Sequence, residues 1–329
     1  MKSLGVFALA VGLLLGFGDP AMAQKGKVSY IGSGGSKLNT TLIKAFNEKY
    51  PDITVEAIVA SGGGVLARLK AEAGSPTADV IYTNFDTYQN APELFLSYKT
   101  KDHDRFPKFA IGKDNKYYGY TMTAQLFIVN TKLMPLADAP KSWKDLANPK
   151  YKGKILWANP SLSGGAYGSL GQMLQLYGWE FVEKVIDNAI LVPNSRLTFT
   201  NVAKGEYEIG LTEETKAFGQ KEKGYPVEVI YPKEGLVWRG AAVGIIKGAP
   251  NLENAKIFAD WHNSAEGQAI NVNLRNRRVY HRDAPPVKGI PDLETVKLCD
   301  CYDHGWAARE KLNNLKKFDA LLAKRGKKS

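Results

Sequence analysis

Val28-Ser29-Tyr30-Ile31-Gly32-Ser33-Gly34-Gly35-Ser36 reads as a short strand running into a glycine loop. Thr40 to Lys49 follows with Leu42, Ile43, Ala45 and Phe46 at helical spacing, and Pro51 stops that helix. The next stretch has the same order. Ile53 to Val59 is a strand, Ser61-Gly62-Gly63-Gly64 a second glycine loop, and Val65 to Ala73 a second helix. Ala78 to Tyr82 is a third strand, ending at Thr83-Asn84. Strands alternating with helices predict an α/β fold on a largely parallel sheet. Ligands of such sheets sit beyond the carboxyl ends of the strands, where these three loops fall.

The middle and the end of the chain keep this grammar. Gln125 to Asn130 and Lys154 to Ala158 read as strands, with a short helix from Ser142 to Leu146 between them. Asn159-Pro160-Ser161-Leu162-Ser163-Gly164-Gly165 is a third glycine loop, leading into a helix from Tyr167 to Leu176. Ile209 to Thr212 and Ala241 to Ile246 are strands, Leu252 to His262 is a helix, and Asp303 to Ala323 is helical in pattern. The length corresponds to about two domains. No low-complexity linker separates them, so the chain is expected to cross between them more than once.

Lys2, the apolar run Leu4 to Phe17 and Ala21-Met22-Ala23 have the order of a signal peptide cleaved after Ala23. No later run is long enough to span a bilayer. The net charge is +11. A basic exported chain favours anionic small ligands, and export argues against nucleic acid. Part of the excess is terminal: Lys324, Arg325, Lys327 and Lys328 read as a solvated, frayed tail. Cys299 and Cys301 can oxidise in an exported protein. With His304 they lie on one segment, which does not make a closed metal site.

Other stretches carry a family resemblance. They are Ala78-Asp79-Val80-Ile81-Tyr82-Thr83, Trp143-Lys144-Asp145-Leu146-Ala147-Asn148-Pro149-Lys150-Tyr151-Lys152-Gly153-Lys154-Ile155, Phe258-Ala259-Asp260-Trp261 with Ser264 to Gln268, and Tyr302 to Arg309. The chain resembles the periplasmic solute-binding proteins of ABC importers, in the branch of ferric-ion, phosphonate and sugar-phosphate binders. The resemblance implies a type II periplasmic-binding-protein fold: two α/β lobes on a two-strand hinge, with the ligand between them. Lobe one would be 24–122 plus 244–329 and lobe two 123–243, with crossings near Ala124 to Val129 and Gly240 to Ile245. It also implies a monomer that delivers its ligand to an inner-membrane permease and ATPase.

The ferric members of the branch hold iron with a histidine in the first loop, a glutamate after the third strand and adjacent tyrosines in lobe two. Here those places hold Ser33 to Ser36, Asn84 and Ile209 to Thr215, and Tyr117-Tyr118 lies elsewhere. A ferric-ion carrier is therefore the alternative, not the first expectation, and no metal or other cofactor is expected. The replacements are small and hydroxylic. Glycine loops expose N–H groups, helix N-termini add partial positive charge, and serine adds donors. Singly, each loop is an N-capped turn. Together, Ser33, Gly34 and Gly35, Ser61, Gly62 and Gly63, and Ser163, Gly164 and Gly165 suit a phosphonate, phosphate or carboxylate head. Thr83, Asn84, Thr123 and Trp238 complete the expected cleft. Arg239 is the candidate for a bidentate grip on the anion. Glu213 and Glu214 read either as a solvated helix start or as acceptors for sugar hydroxyls or a ligand ammonium, which would admit a zwitterion such as an aminoalkylphosphonate. No nucleophile elbow, zinc-protease motif or P-loop occurs, and His103, His262, His281 and His304 are scattered outside the expected cleft, so no enzyme is expected.

Overall fold

Val28 to Gly32 is buried without a break, as a strand covered on both faces must be. This strand belongs to a computed structural model that describes residues 25–59, 62–299 and 301–327. The expected signal peptide and Ser61 lie outside the described residues. The first unit comprises β1 (Gly26–Gly32), α1 (Ser36–Lys49), β2 (Ile53–Val59), α2 (Gly62–Ala71), β3 (Val80–Asn84) and α3 (Phe85–Asn90). A long strand, β4 (Tyr118–Asn130), leads to β5 (Ile155–Ala158), α4 (Gly164–Asn188), β6 (Ala189–Val192), α5 (Ser195–Lys204), β7 (Ile209–Glu213), α6 (Glu214–Glu222) and β8 (Val227–Ile230). The return strand β9 (Val237–Ile245) precedes α7 (Leu252–His262), α8 (Ala265–Arg275), α9 (His304–Arg309) and α10 (Lys311–Lys324).

The strands form one sheet in the order β2-β1-β3-β9-β4-β7-β5-β6, with β8 also on β4. It is parallel within β1–β3 and within β5–β7, but β4 and β9 run antiparallel to each other and to their flanking neighbours. The sheet is therefore mixed, and the largely parallel expectation holds only in its two halves. Along β4 the partnership changes. Tyr118 to Gln125 pairs with β9, and Gln125 to Val129 pairs with β7. On β9, Ala241 to Ile245 pairs with β3. These two strands thus carry the chain from one half to the other.

The stretches that carry the resemblance have structural work. Asp79 is buried and accepts from the Ser29 N–H at 2.7 Å and from the Asn251 N–H at 2.7 Å, so it ties β1 to the start of α7. Ser142 and Asp145 form a capping box around the 3-10 turn Trp143–Ala147, which buries Trp143. Phe258 and Trp261 pack with Phe46 and Leu42 on the outer face of the first half.

The end of the chain departs from expectation. After α8, residues 276–299 pass from the first half to the second, bridging at Met122–Arg278 and Leu236–Leu298. This is a third crossing, and the Cys299–Cys301 disulfide closes it. Beyond it, Ala307, Phe318 and Leu322 sit in the core built around Trp143, Trp157 and Tyr167. The final helices expected in lobe one therefore complete the core of the second half, while α9 also packs against α3 of the first. Nor is the basic tail frayed as far as it is described. Arg325 reaches Glu183 at 2.9 Å and Asp187 at 2.7 Å, and Lys327 donates to the carbonyls of Ile186 and Ala189 at the end of α4. Cations complement the negative end of a helix dipole.

Candidate functional site

The N-termini of α3 and α4 line a cavity between the halves, and α1 starts at the loop that follows β1. Gly35 caps α1 with φ 86°, a conformation that favours glycine, and no side chain satisfies the orphan N–H groups there. Asn84 caps α3, again without a side-chain hydrogen bond. Ser163 caps α4 by accepting from the Ala166 N–H at 3.3 Å. Neither α1 nor α4 has an acid in its own first turn, although Glu213 approaches Gly165 of α4 from the end of β7.

Arg239 lies along the first turns of α4. A Cβ at Gly164 would come within 3.2 Å of Arg239 Nη1, and one at Gly168 within 3.3 Å of Arg239 Cδ. The glycines are thus what lets the guanidinium lie against the helix N-terminus. Strand β9 brings Arg239 there opposite Thr123 of β4, whose hydroxyl is 3.5 Å from the Arg239 carbonyl. A small cavity of ≈ 60 Å³ joins Arg239 to Asn84, Asp86, Gly164 and His304. A second, of ≈ 220 Å³, is lined by Gln125, Gly165, Ser195, Glu213, Lys216 and Arg277. A larger hollow of ≈ 620 Å³ lies elsewhere, against Phe109 and the proline-rich turn Pro285–Pro286. Its Arg278 is committed to Glu214 and its Arg282 is paired with Glu294 at 3.6 Å, so its cations are already neutralised.

Several expected ligand groups are engaged otherwise. Ser33 donates both its N–H, at 3.0 Å, and its hydroxyl, at 2.8 Å, to the Tyr82 carbonyl. Thr83 is fully buried against Thr87, so it faces the core rather than the groove. Glu214 is not a solvated helix start. It is buried, accepts two bonds from Arg278 at 2.6 and 2.8 Å, and accepts the Tyr231 hydroxyl at 2.6 Å. Burial alone would lower the Arg278 pKa, but the Glu214 pair leaves it raised. Glu213 is partly exposed and sits 3.4 Å from Arg277. Gly34 packs under Tyr82, while Gly62 and Gly63 open α2.

The groove also contains residues that the sequence reading missed. Arg275 and Arg277 come from the end of α8 and the start of the third crossing. Burial raises the Tyr82 hydroxyl pKa, and both arginines oppose that rise. Arg277 is itself lowered, first by burial and then by its cationic neighbours Arg275 and Arg239, with Glu213 acting against them. His304 is no bystander. Its ring lies 4.7 Å from Trp238 and 6.4 Å from Phe85. Burial, then Arg239, holds its pKa at about 4, so it is a neutral wall of the groove at pH 7. The Arg-x-Arg spacing after a helix was the available signal, but nothing local shows which half of the sheet such a segment will reach.

The model of the bacterial extracellular solute-binding proteins matches residues 41–297, and the chain belongs to that family. It is a periplasmic substrate-binding protein of the ABC-importer type, a class of transport-associated proteins that work with a permease and an ATPase. A Haemophilus influenzae protein described only as uncharacterized is 34% identical over 82% of this chain and 81% of its own length. A putative 2-aminoethylphosphonate-binding periplasmic protein of Salmonella typhimurium is 29% identical over 67% of each chain. Among solved structures, AfuA of Actinobacillus pleuropneumoniae, with exogenous fructose-6-phosphate bound, is 28% identical with a TM-score of 0.68, covering 90% of this chain and 98% of its own. Iron-bound HitA of Pseudomonas aeruginosa, at 18% identity and a TM-score of 0.72 over 88% of this chain and 98% of its own, shares the type II fold.

Proposed function

We propose that this protein captures a small solute carrying a phosphorus oxyanion, a phosphonate or a phosphate monoester, between one lobe built on 25–122 with 244–275 and another built on 123–243 with 304–327, joined also by the third crossing. It then passes the solute to an inner-membrane permease and its ATPase. The observation that carries this reading is Arg239 lying along the glycine-opened N-terminus of α4. A guanidinium offers a planar fork of donors, and the helix end adds N–H groups and positive potential, which together suit a tetrahedral anion. Relatives named for 2-aminoethylphosphonate and solved with fructose-6-phosphate support the same head group. A ferric ion fits poorly, because Arg239, Arg275 and Arg277 would repel it and the residues replacing the branch's iron ligands offer no tyrosinate pair.

Calorimetry with phosphonates, sugar phosphates and a dicarboxylate tests the reading. A phosphonate or phosphate monoester should bind one per chain and lose affinity in Arg239→Ala. Binding of dicarboxylates but of no phosphorus oxyanion would refute it.

A further inference from the structure

Two adjacent acids at the β7–α6 junction meet two adjacent arginines of the third crossing, in order. Glu214 pairs with Arg278 and Glu213 with Arg277. The two pairs differ in where they lie. The Arg278 and Glu214 side chains are 5% and 2% exposed, sealed in the core, whereas those of Arg277 and Glu213 are 20% and 25% exposed and line the ≈ 220 Å³ cavity. The other ionised group lining that cavity is Lys216, again a cation. Glu213 is therefore the one carboxylate lining it among the described residues, and a guanidinium already holds it.

That arrangement decides how the second end of a ligand is read. A ligand ammonium entering the cavity needs a carboxylate to replace its hydration. Arg277 Nη2 contacts only one Glu213 oxygen, Oε2, at 3.4 Å, so an ammonium must either share the carboxylate with the Arg277 charge beside it or displace Arg277, leaving a mostly buried guanidinium among Arg275 and Arg239 without its counter-charge. Stranding a buried charge is the expensive outcome. A hydroxyl or alkyl end demands no such exchange. Around both cavities the balance is Arg239, Lys311, Lys216 and Arg277 against Asp86 and Glu213. The surplus is positive, which also disfavours a second cation and favours a doubly charged anion.

Resting on the phosphorus-oxyanion reading above, we propose that Arg277 is a specificity-determining residue: by occupying Glu213 it makes the site select amine-free phosphonates and phosphate esters over aminoalkyl ones. This distinguishes the chain from what the name of its Salmonella relative describes.

The test is calorimetry with 2-aminoethylphosphonate and propylphosphonate, near-isosteres that differ by an ammonium for a methyl. Wild-type protein should bind propylphosphonate at least about tenfold more tightly, roughly 1.4 kcal/mol. Arg277→Gln frees Glu213 and should move the affinity ratio at least tenfold toward the amine. Adding Glu213→Gln to that variant should cancel the shift. Glu213→Gln alone releases Arg277 and should widen the preference against the amine, so the idea stays testable if Arg277→Gln folds poorly. A wild-type preference for 2-aminoethylphosphonate, equal affinities, or ratios unmoved in these variants would overturn the role of Arg277 while leaving oxyanion capture intact. If wild-type protein bound neither probe nor glucose 6-phosphate, the oxyanion reading itself would fall, and the selection with it.

Discussion

The imidazole of His304 lies 4.7 Å from the indole of Trp238, so the first turn of α9 is keyed to the strand that carries Arg239. Burial, then Arg239, places the His304 pKa at about 4, below its ordinary 6.5. The unfolded chain therefore takes up this proton at higher pH than the folded one. The stability contributed by the neutral ring is complete above about pH 6.5 and is lost as pH falls toward 4, about 3 kcal/mol at most. His262, held at about 3 by burial alone, acts in the same direction. Urea denaturation between pH 7.5 and 4.5 should show this decline, and His304→Phe should make it shallower. An unchanged slope in that variant would remove His304 from the account.

Glu214→Ala should cost about 3–5 kcal/mol of folding stability, because it strands the buried Arg278 guanidinium. The double variant Glu214→Ala/Arg278→Met should recover most of that loss. Denaturant midpoints of the three proteins check this. A mild effect of Glu214→Ala alone would mean that water reaches Arg278.

Arg239→Ala should weaken oxyanion binding by about 2–3 kcal/mol while the protein still folds, as expected for a lost charged hydrogen-bonding group. Ser33→Ala should change affinity far less, since its hydroxyl proton already goes to the Tyr82 carbonyl. Calorimetry on both variants separates the two roles. Equal losses would show that Ser33 turns toward the ligand.

Gly210→Ala should destabilise by about 3 kcal/mol or more. Its Cβ would sit 2.0 Å from the Thr198 carbonyl oxygen and 3.0 Å from Ile128, and backbone cannot step aside as a flexible side chain does. A drop in melting temperature of several degrees, at unchanged fold by circular dichroism, is the expected reading. A silent substitution would show that α5 can lift off β7.

The local signals in the sequence were strong where periodicity and punctuation coincide. The β1–α1 and β2–α2 units fell within a few residues of their observed bounds, because glycine loops and Pro51 mark them plainly. The antiparallel course of β4 and β9 was not legible, since a buried strand reads the same in either direction. Arg239 stood out in the sequence beside the expected crossing, and the structure places it within β9. Arg275, Arg277 and His304 were not, because they reach the groove only through the third crossing, whose contacts span large sequence separations. Glu214 misled for a related reason. An acid at a helix start reads as solvated until a distant arginine is known to cover it.

The lateness of α9 and α10 bears on how the chain acquires its shape. Ser161 bonds to Asp319 across 158 positions and Tyr167 to Ala307 across 140. Strand β9, needed between β3 and β4, also arrives long after both. While the polypeptide is being synthesised, neither half can seal its interior, and contacts this remote in sequence form slowly. A precursor that stays loose until its final helices emerge is one that a translocation channel can still thread, so the placement of these helices favours passage across the membrane before the protein sets.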